Sequence, residues 1–287
     1  RHIKDFSLKL YQEDIIEMTN FVKNNNIIIH QPDFELDETL DCGQAFRWKK
    51  INSDFQCTYT GDFYNSHLTI SKISDGEFIF HDTTETDFLD IWSNYFDFGT
   101  DYGELKKQFS EDETLAKACK FAGGIRLLRQ NSWECLISFI ISQNNNIPRI
   151  KGIIERLCEN YDGRFPDASE LAKETSESLS YLRSGFRAKY ISDAADAVNS
   201  GRVNLSEISE LPIETARTSL KTIKGVGPKV AECVLLFGMY RTEAFPIDVW
   251  IRRVLAEYYP NGFPEYIVEN AGIAQQYLFH YIRNNHE

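Results

Sequence analysis

The chain has 287 residues, 42% of them hydrophobic and 26% charged, enough for one large or two average domains around a sizeable core. No stretch approaches the roughly 18 apolar residues of a membrane span, so no membrane partner is expected. The formal net charge of −12 at first disfavours a nucleic-acid partner, but it is unevenly spread. Residues 1–120 hold 12 Lys+Arg against 23 Asp+Glu, and residues 121–287 hold the other 19 basic and 20 acidic side chains. The second part is thus near neutral and free to carry a local basic face, and two differently built regions are expected.

Residues 5–95 read as mixed α+β. Runs rich in β-branched and aromatic residues at Ala45–Lys50, Phe55–Tyr59, Leu68–Ser71 and Phe78–His81, with turn pairs Gly61-Asp62 and Asp75-Gly76, predict a small antiparallel sheet. A helix is expected over Glu85–Tyr95, where Phe88, Leu89, Ile91 and Trp92 share a face. From about Asp101 the strand signal disappears. Amphipathic helices follow at Trp133–Ile141, Ile147–Asn160, Ala188–Val198, Leu211–Thr222, Pro228–Met239, Val249–Tyr259 and Ile273–Arg283. The expected fold class is α+β: a sheet domain over 1–125, then an all-helical domain over 126–287. The six cysteines, Cys42, Cys57, Cys119, Cys135, Cys158 and Cys233, show neither C-x-x-C pairs nor metal-ligand spacing. Reduced thiols and no metal are expected.

Residues 220–250 carry the chemistry. They read LKTIKGVGPKVAECVLLFGMYRTEAFPIDVW. Two helices flank the turn Lys224-Gly225-Val226-Gly227, and Pro228 fits the first helical turn, where its missing N–H costs nothing. The glycines permit φ > 0 and close approach of another backbone. Outward N–H groups beside a helix N-terminus suit a phosphate oxygen, and Lys221 and Lys224 add charge. The pattern is a helix-hairpin-helix at about 214–239, a sequence-independent grip on a DNA backbone; an ordinary αα-hairpin has the same turn. Downstream lies a Pro-Asp loop at 244–248. Asp248 precedes the helix at Val249 and is placed to cap it. A buried carboxylate also stabilises the positive charge that grows on a sugar as its N-glycosidic bond breaks. Lys229 lies on the first turn of the second hairpin helix. A lysine amine attacks carbon only as the neutral base, and burial and a helix N-terminus both favour that form.

The combination of G-V-G-P-K-V with a downstream P-x-D-x-W resembles the helix-hairpin-helix glycosylase superfamily. Three further segments, CGQAFRW at 42–48, RLLRQNSWECLISFIISQNNNIPRI at 126–150 and SGFRAKY at 184–190, resemble the 8-oxoguanine DNA glycosylase/AP lyase family, with likeness from about residue 34 onward. The resemblance implies a bifunctional base excision repair enzyme acting on duplex DNA that contains 8-oxoguanine. Lys229 would be the Schiff-base nucleophile and Asp248 its carboxylate partner, and the strand would be cut by β-elimination. It further implies that the Gly43 carbonyl accepts from N7–H of the damaged base, where guanine has only an acceptor. Cys233 and Phe279 would sandwich the base, and Gln275 would bond its Watson–Crick edge. Asn144 would fill the vacated stack, with Phe186 wedged beside the estranged base and Arg149 and Arg187 holding it. Lys224, Gly225 and Gly227 would contact the backbone.

Two departures stand out. Phe186 occupies a position where family members carry Tyr, which loosens the expected preference for cytosine opposite the lesion. Trp250 stands where eukaryotic members have a phosphate-binding His, and Ile282 where its acidic partner would be. No cofactor is expected beyond a structural monovalent cation at the hairpin, and no iron–sulfur cluster, because no Cys follows Cys233. A monomer is expected, in the cytoplasm with the nucleoid for a bacterial source, which is favoured, or in the nucleus for a eukaryotic one. Three alternatives fit less well. A non-catalytic hairpin module does not explain Lys229 with Asp248, an endonuclease III-like enzyme would carry the cluster cysteines, and an alkylpurine glycosylase normally lacks the lysine.

Overall fold

Alternation of buried and exposed residues along short strands builds the first of two units. The structure, a computed structural model, describes residues 19–22 and 25–285; residues 5–18 of the expected α+β region lie outside them. The six strands are β1 (Thr19–Val22), β2 (Asn26–His30), β3 (Trp48–Ile51), β4 (Cys57–Phe63), β5 (Ser66–Ser74) and β6 (Glu77–His81), in sheet order β1-β2-β6-β5-β4-β3. The pairs β1–β2, β2–β6, β5–β6 and β3–β4 are antiparallel. Ile27, Ile29, Leu68, Ile70, Phe78 and Phe80 turn inward at every second position, as a half-covered sheet requires. The helix α1 (Leu36–Leu40) precedes β3. After β6 come α2 (Glu85–Asp87), a π-helical turn (Phe88–Trp92) and α3 (Ser93–Tyr95), then α4 (Tyr102–Phe109) and α5 (Glu113–Phe121).

Three expectations are corrected. The Gly61-Asp62 pair lies inside β4, and the reversal falls at Tyr64-Asn65, with Tyr64 at φ 52°. Gly61 stands directly across from Trp48, where a residue without a side chain leaves room for the indole. The strand expected from Ala45 starts only at Trp48. Ala45–Arg47 belong instead to the second unit, where the Phe46 ring meets Phe139 edge-on at 5.7 Å and Arg47 pairs with Glu134 at 3.3 Å. Strands β1 and β2 were not expected at all.

The first unit gathers the described residues up to Gln44 with Trp48–Asp62 and Ser66–Arg129. Its core is aromatic. Phe34 is fully buried, with Phe78, Phe96 and Phe98 centred 4.7, 5.3 and 5.4 Å away. Each such ring contributes roughly 1.5–3 kcal/mol by leaving water. Within this apolar volume lies Arg126, 0% exposed. Its guanidinium donates to the carbonyls of Phe96 (3.0 Å), Asp33 (3.2 Å), Thr100 (3.0 Å) and Asp97, and sits 4.2 Å over the Tyr102 ring. These partners replace the water that a buried cation loses.

The second unit holds Ala45–Arg47, Phe63–Asn65 and the described residues from Gln130. It is helical: α6 (Ser132–Ser142), α7 (Ile147–Glu159), α8 (Ala168–Leu171), a 3₁₀ turn (Ser178–Leu182), α9 (Arg187–Asn199), α10 (Leu205–Glu210), α11 (Ile213–Leu220), α12 (Pro228–Cys233), a π turn (Val234–Gly238), α13 (Val249–Tyr258), a second 3₁₀ turn (Glu265–Asn270) and α14 (Ala271–Asn285). Helix α6 is buried all round from Cys135 to Ile141, the mark of a central helix; α7, α9, α12 and the π turn pack on it.

All six cysteines are free, five of them buried and Cys57 half-buried. Burial pushes the Cys42 and Cys57 thiols up to about 11 and Cys119 up to about 12. Among the described residues no group of three or more His, Cys, Asp or Glu stands ready to hold a metal ion, and no helix is long and apolar enough to cross a membrane.

Replacing Arg126 by Met removes the donor to four carbonyls, two of them in buried contacts, and should destabilise the protein by about 3–5 kcal/mol. Urea unfolding would show this as a lower midpoint at an unchanged slope.

Candidate active site

The site is set by two helix starts. Chain polarity leaves the first N–H groups of any helix without partners, and the sequence treats the two differently. At α13 the cap is Asp248, in extended conformation (φ −96°, ψ −168°). One carboxylate oxygen, Oδ1, accepts from the N–H groups of Trp250 (3.0 Å) and Ile251 (2.8 Å). The other makes no hydrogen bond among the described residues. At α12 the cap is Gly227, with no side chain to contribute, followed by Pro228 and Lys229.

The two glycines of the hairpin turn differ. Gly225 has φ 85°, and a Cβ added there would lie 2.3 Å from the Tyr190 ring of α9. Gly227 has φ −88°, so only the first of the two glycines uses the positive φ that both permit. Nothing lies within 4 Å of a Cβ added at Gly227, and that face is open. The Lys224 N–H is taken by the Asp193 carboxylate at 2.9 Å.

Lys229 and Asp248 line one cavity of about 620 Å³, with Asn144, Phe279 and Trp250. The Lys229 ammonium sits 5.0 Å over the Phe139 ring and has no ion-pair partner among the described residues. Cys233, one turn further along, is 2% exposed. Burial raises its thiol above the ordinary value, against the pull of the Lys229 charge beside it. Gln275 is buried on α14 and does not line the cavity. Its amide nitrogen donates to the Pro246 carbonyl at 3.0 Å, and its oxygen accepts from Gln276 at 2.6 Å.

The three asparagines at 144–146 divide their work. Asn145 donates to the Ile141 carbonyl at the end of α6 (3.2 Å), and Asn146 caps α7 by accepting from the Arg149 N–H (3.0 Å). Asn144, between them and the α6 end, takes the left-handed conformation (φ 48°) that Asn tolerates, and its side chain is exposed. Arg187 is 3% exposed. It donates to the carbonyls of Gln143 (2.8 Å), Ser184 (3.0 Å) and Asn144 (3.0 Å), and so braces this turn. Its guanidinium lies 4.5 Å over Phe186, whose ring is 50% exposed. Arg149 is exposed at the start of α7.

Gly43 belongs to the first unit. It has φ 93° and stands between buried Cys42 and Gln44. The Gln44 amide donates to the Thr39 and Arg126 carbonyls at 2.9 and 2.8 Å and accepts from the Leu128 N–H at 2.9 Å. Two charged cavity residues are not marked by the sequence motifs: Arg252 and Arg283. Neither has a carboxylate partner among the described residues. Their signal was available in spacing alone, since Arg252 follows Asp248 by one helical turn and Arg283 follows Phe279 by one turn. Ile282 is buried, and Trp250 lies under the Arg253 guanidinium at 5.1 Å.

Comparison with known proteins gives two family matches. Residues 26–136 match the 8-oxoguanine DNA glycosylase N-terminal domain, and residues 137–266 match the HhH-GPD superfamily of base excision DNA repair proteins. The chain is 31% identical over 272 residues to an N-glycosylase/DNA lyase of Saccharomyces cerevisiae, spanning 81% of this chain and 70% of that one. It is 29% identical over 246 residues to N-glycosylase/DNA lyase OGG1 of Arabidopsis thaliana, and the match covers 77% of this chain and 65% of that protein's length. Among solved structures, the Clostridium acetobutylicum 8-oxoguanine glycosylase/lyase bound to duplex DNA with cytosine opposite 8-oxoguanine superposes with a TM-score of 0.83. It is 35% identical, covering 93% of this chain and 98% of that one.

The contrast between the two turn glycines is measurable without any ligand. Gly225→Ala, with its positive φ and the Tyr190 ring in the way, should cost about 3 kcal/mol. Gly227→Ala, a poorer cap in open space, should cost about 1 kcal/mol or less. Thermal unfolding of the two variants decides it.

Proposed function

This chain belongs to the 8-oxoguanine DNA glycosylases of the HhH-GPD superfamily, and from that premise we propose that it excises 8-oxoguanine from duplex DNA through a Schiff base on Lys229 and then cuts the strand. One observation carries the reading. Among the described residues, an amine without an ion-pair partner and a carboxylate with one oxygen unbonded line the same cavity.

The Lys229 amine, as the free base, attacks C1′ of the flipped nucleotide. The N-glycosidic bond breaks and its electron pair leaves with the base, which takes up the proton that the attacking nitrogen loses. Asp248 stabilises the positive charge that develops on the sugar through its unbonded oxygen, while its bonded oxygen keeps the group in place. Ring opening gives the Schiff base. Loss of a C2′ proton then expels the 3′ phosphate by β-elimination.

The base is held by groups from several elements. The Gly43 carbonyl, fixed by the anchored residues on either side, accepts from N7–H. Cys233 and Phe279 flank the ring. Gln275 has one amide N–H left after its bond to Pro246 and offers it to the base edge. On the duplex, Asn144 enters the vacated stack, Phe186 wedges beside the estranged base, and Arg149 reaches toward it. Arg187 spends most of its five N–H donors on the Asn144 turn, so it acts chiefly by presenting Asn144. Lys224, Gly225 and Gly227 grip a phosphate at the hairpin, where the open face of Gly227 admits the backbone. Arg252 and Arg283 take the phosphates beside the flipped nucleotide, a role that Trp250 cannot fill.

Borohydride trapping on 8-oxoguanine duplexes with each base opposite tests the chemistry. A covalent adduct is expected with the native chain and none with Lys229→Gln, whose excision rate should fall by about 10³-fold or more. An adduct formed by Lys229→Gln would end the assignment. With Phe186 in place of Tyr, adducts opposite adenine should remain appreciable.

Arg252→Ala and Arg283→Ala should each weaken DNA binding and lower the slope of log affinity against log salt by about 1. Salt titrations with slopes equal to the native one would remove the phosphate assignment.

A further inference from the structure

Chemistry between Lys229 and Asp248 requires two separate pieces of chain, helix α12 and the loop before α13, to hold a fixed register. Glu232, three residues after Lys229 on α12, joins them. Its side chain is 13% exposed and both of its oxygens are used. Oε1 accepts from Arg217 Nε at 2.6 Å, and Oε2 accepts from Arg217 Nη2 at 3.0 Å and from the Phe245 N–H at 2.8 Å. Arg217 lies on α11, the other helix of the hairpin, and Phe245 lies three residues before Asp248. One carboxylate thus ties both hairpin helices to the loop that delivers Asp248.

The far side of the loop is fixed to α14. Gln275 donates to the Pro246 carbonyl at 3.0 Å and the Gly272 N–H donates to Thr242 at 2.8 Å. A Cβ at Gly272 would meet the Ala244 carbonyl at 2.5 Å. With that side closed, the bond from Glu232 to Phe245 sets how the loop stands against the lysine helix. A solvated ion pair would matter little. This one is a two-pronged arginine fork whose carboxylate also accepts a backbone N–H that faces protein.

We propose that the Arg217–Glu232 pair is a positioning device that holds Lys229 and Asp248 in reactive register. The proposal rests on the Schiff-base reading above. Neither residue lines the cavity, so their loss should change the rate of the chemical step while leaving DNA affinity intact. Misplacement of reacting groups by about 1 Å costs on the order of 10²-fold in rate.

The test is single-turnover excision at saturating 8-oxoguanine duplex, with active protein counted by stoichiometric titration against a duplex carrying an uncleavable abasic analogue. Glu232→Ala should lower the rate per active site about 30- to 100-fold with a Kd within about twofold of native. Glu232→Gln, which keeps an oxygen for the Phe245 N–H, should recover most of the loss. If Glu232→Ala does not fold, Arg217→Lys keeps the charge but loses the fork, and should lower the rate per active site about five- to tenfold. A purely structural pair would lower the active fraction and leave that rate untouched, which would overturn the proposal. The native chain failing to form a trapped adduct would instead overturn the Schiff-base reading, so the two failures are distinguishable.

Discussion

An amine and a carboxylate that share a cavity attract each other, and a contact pair of the two would hold the proposed nucleophile as its ammonium. The central constraint on this chain is to keep Lys229 and Asp248 facing one space without letting them pair. Backbone geometry meets it on the acidic side. Two N–H groups at the start of α13 satisfy one oxygen of Asp248, so the carboxylate is oriented by the helix and does not need the lysine. On the basic side, the ammonium lies over the face of Phe139, whose ring is in turn stacked on Phe237 at 5.2 Å. Cation–π attraction holds the amine without neutralising it through a carboxylate. The central helix α6, buried along most of its length, supplies the rigid base for both rings.

Much of this was legible in the sequence, because helix starts are local events. Pro228 after a Gly-rich turn, and Asp248 before an apolar helix, announce their positions within three or four residues. The Asn144–Asn146 run was legible as a special loop, though not the division of labour within it. What escaped depends on pairings distant in sequence. Gly61 reads as a turn residue until Trp48 is known to stand across from it. Ala45–Arg47 read as strand until Phe46 finds Phe139. Arg126, Glu232 and Arg217 look like ordinary surface charges, and only the fold shows that Arg126 serves backbone carbonyls while Glu232 and Arg217 pair with each other and Glu232 also accepts from the Phe245 N–H. Gln275 was expected as a free contact to a base, and the fold gives it a backbone carbonyl and a neighbouring amide.

The uneven charge also acquires a physical meaning. In the first unit many acidic side chains are paired, as Asp33 is with Lys106 at 2.5 Å and Glu35 with Lys72 at 2.6 Å. Around the cavity of the second unit the pattern reverses: Arg252, Arg283 and Lys229 have no carboxylate partner among the described residues. A polyanion approaching this chain responds to local unpaired cations within a Debye length of about 8–10 Å, and the total of −12 is a poor guide to what it meets there.

The state of the cysteines bears on where such an enzyme has to work. Peroxides attack thiolates, and do so fastest where the thiol is acidic and exposed. Here burial raises the thiols of Cys42, Cys57, Cys119, Cys135 and Cys233 above their ordinary values, and Cys158 is buried as well. The oxidants that convert guanine to 8-oxoguanine therefore find few reactive thiols on this protein. The same packing that stabilises the fold shields its thiols under the condition in which its proposed substrate accumulates.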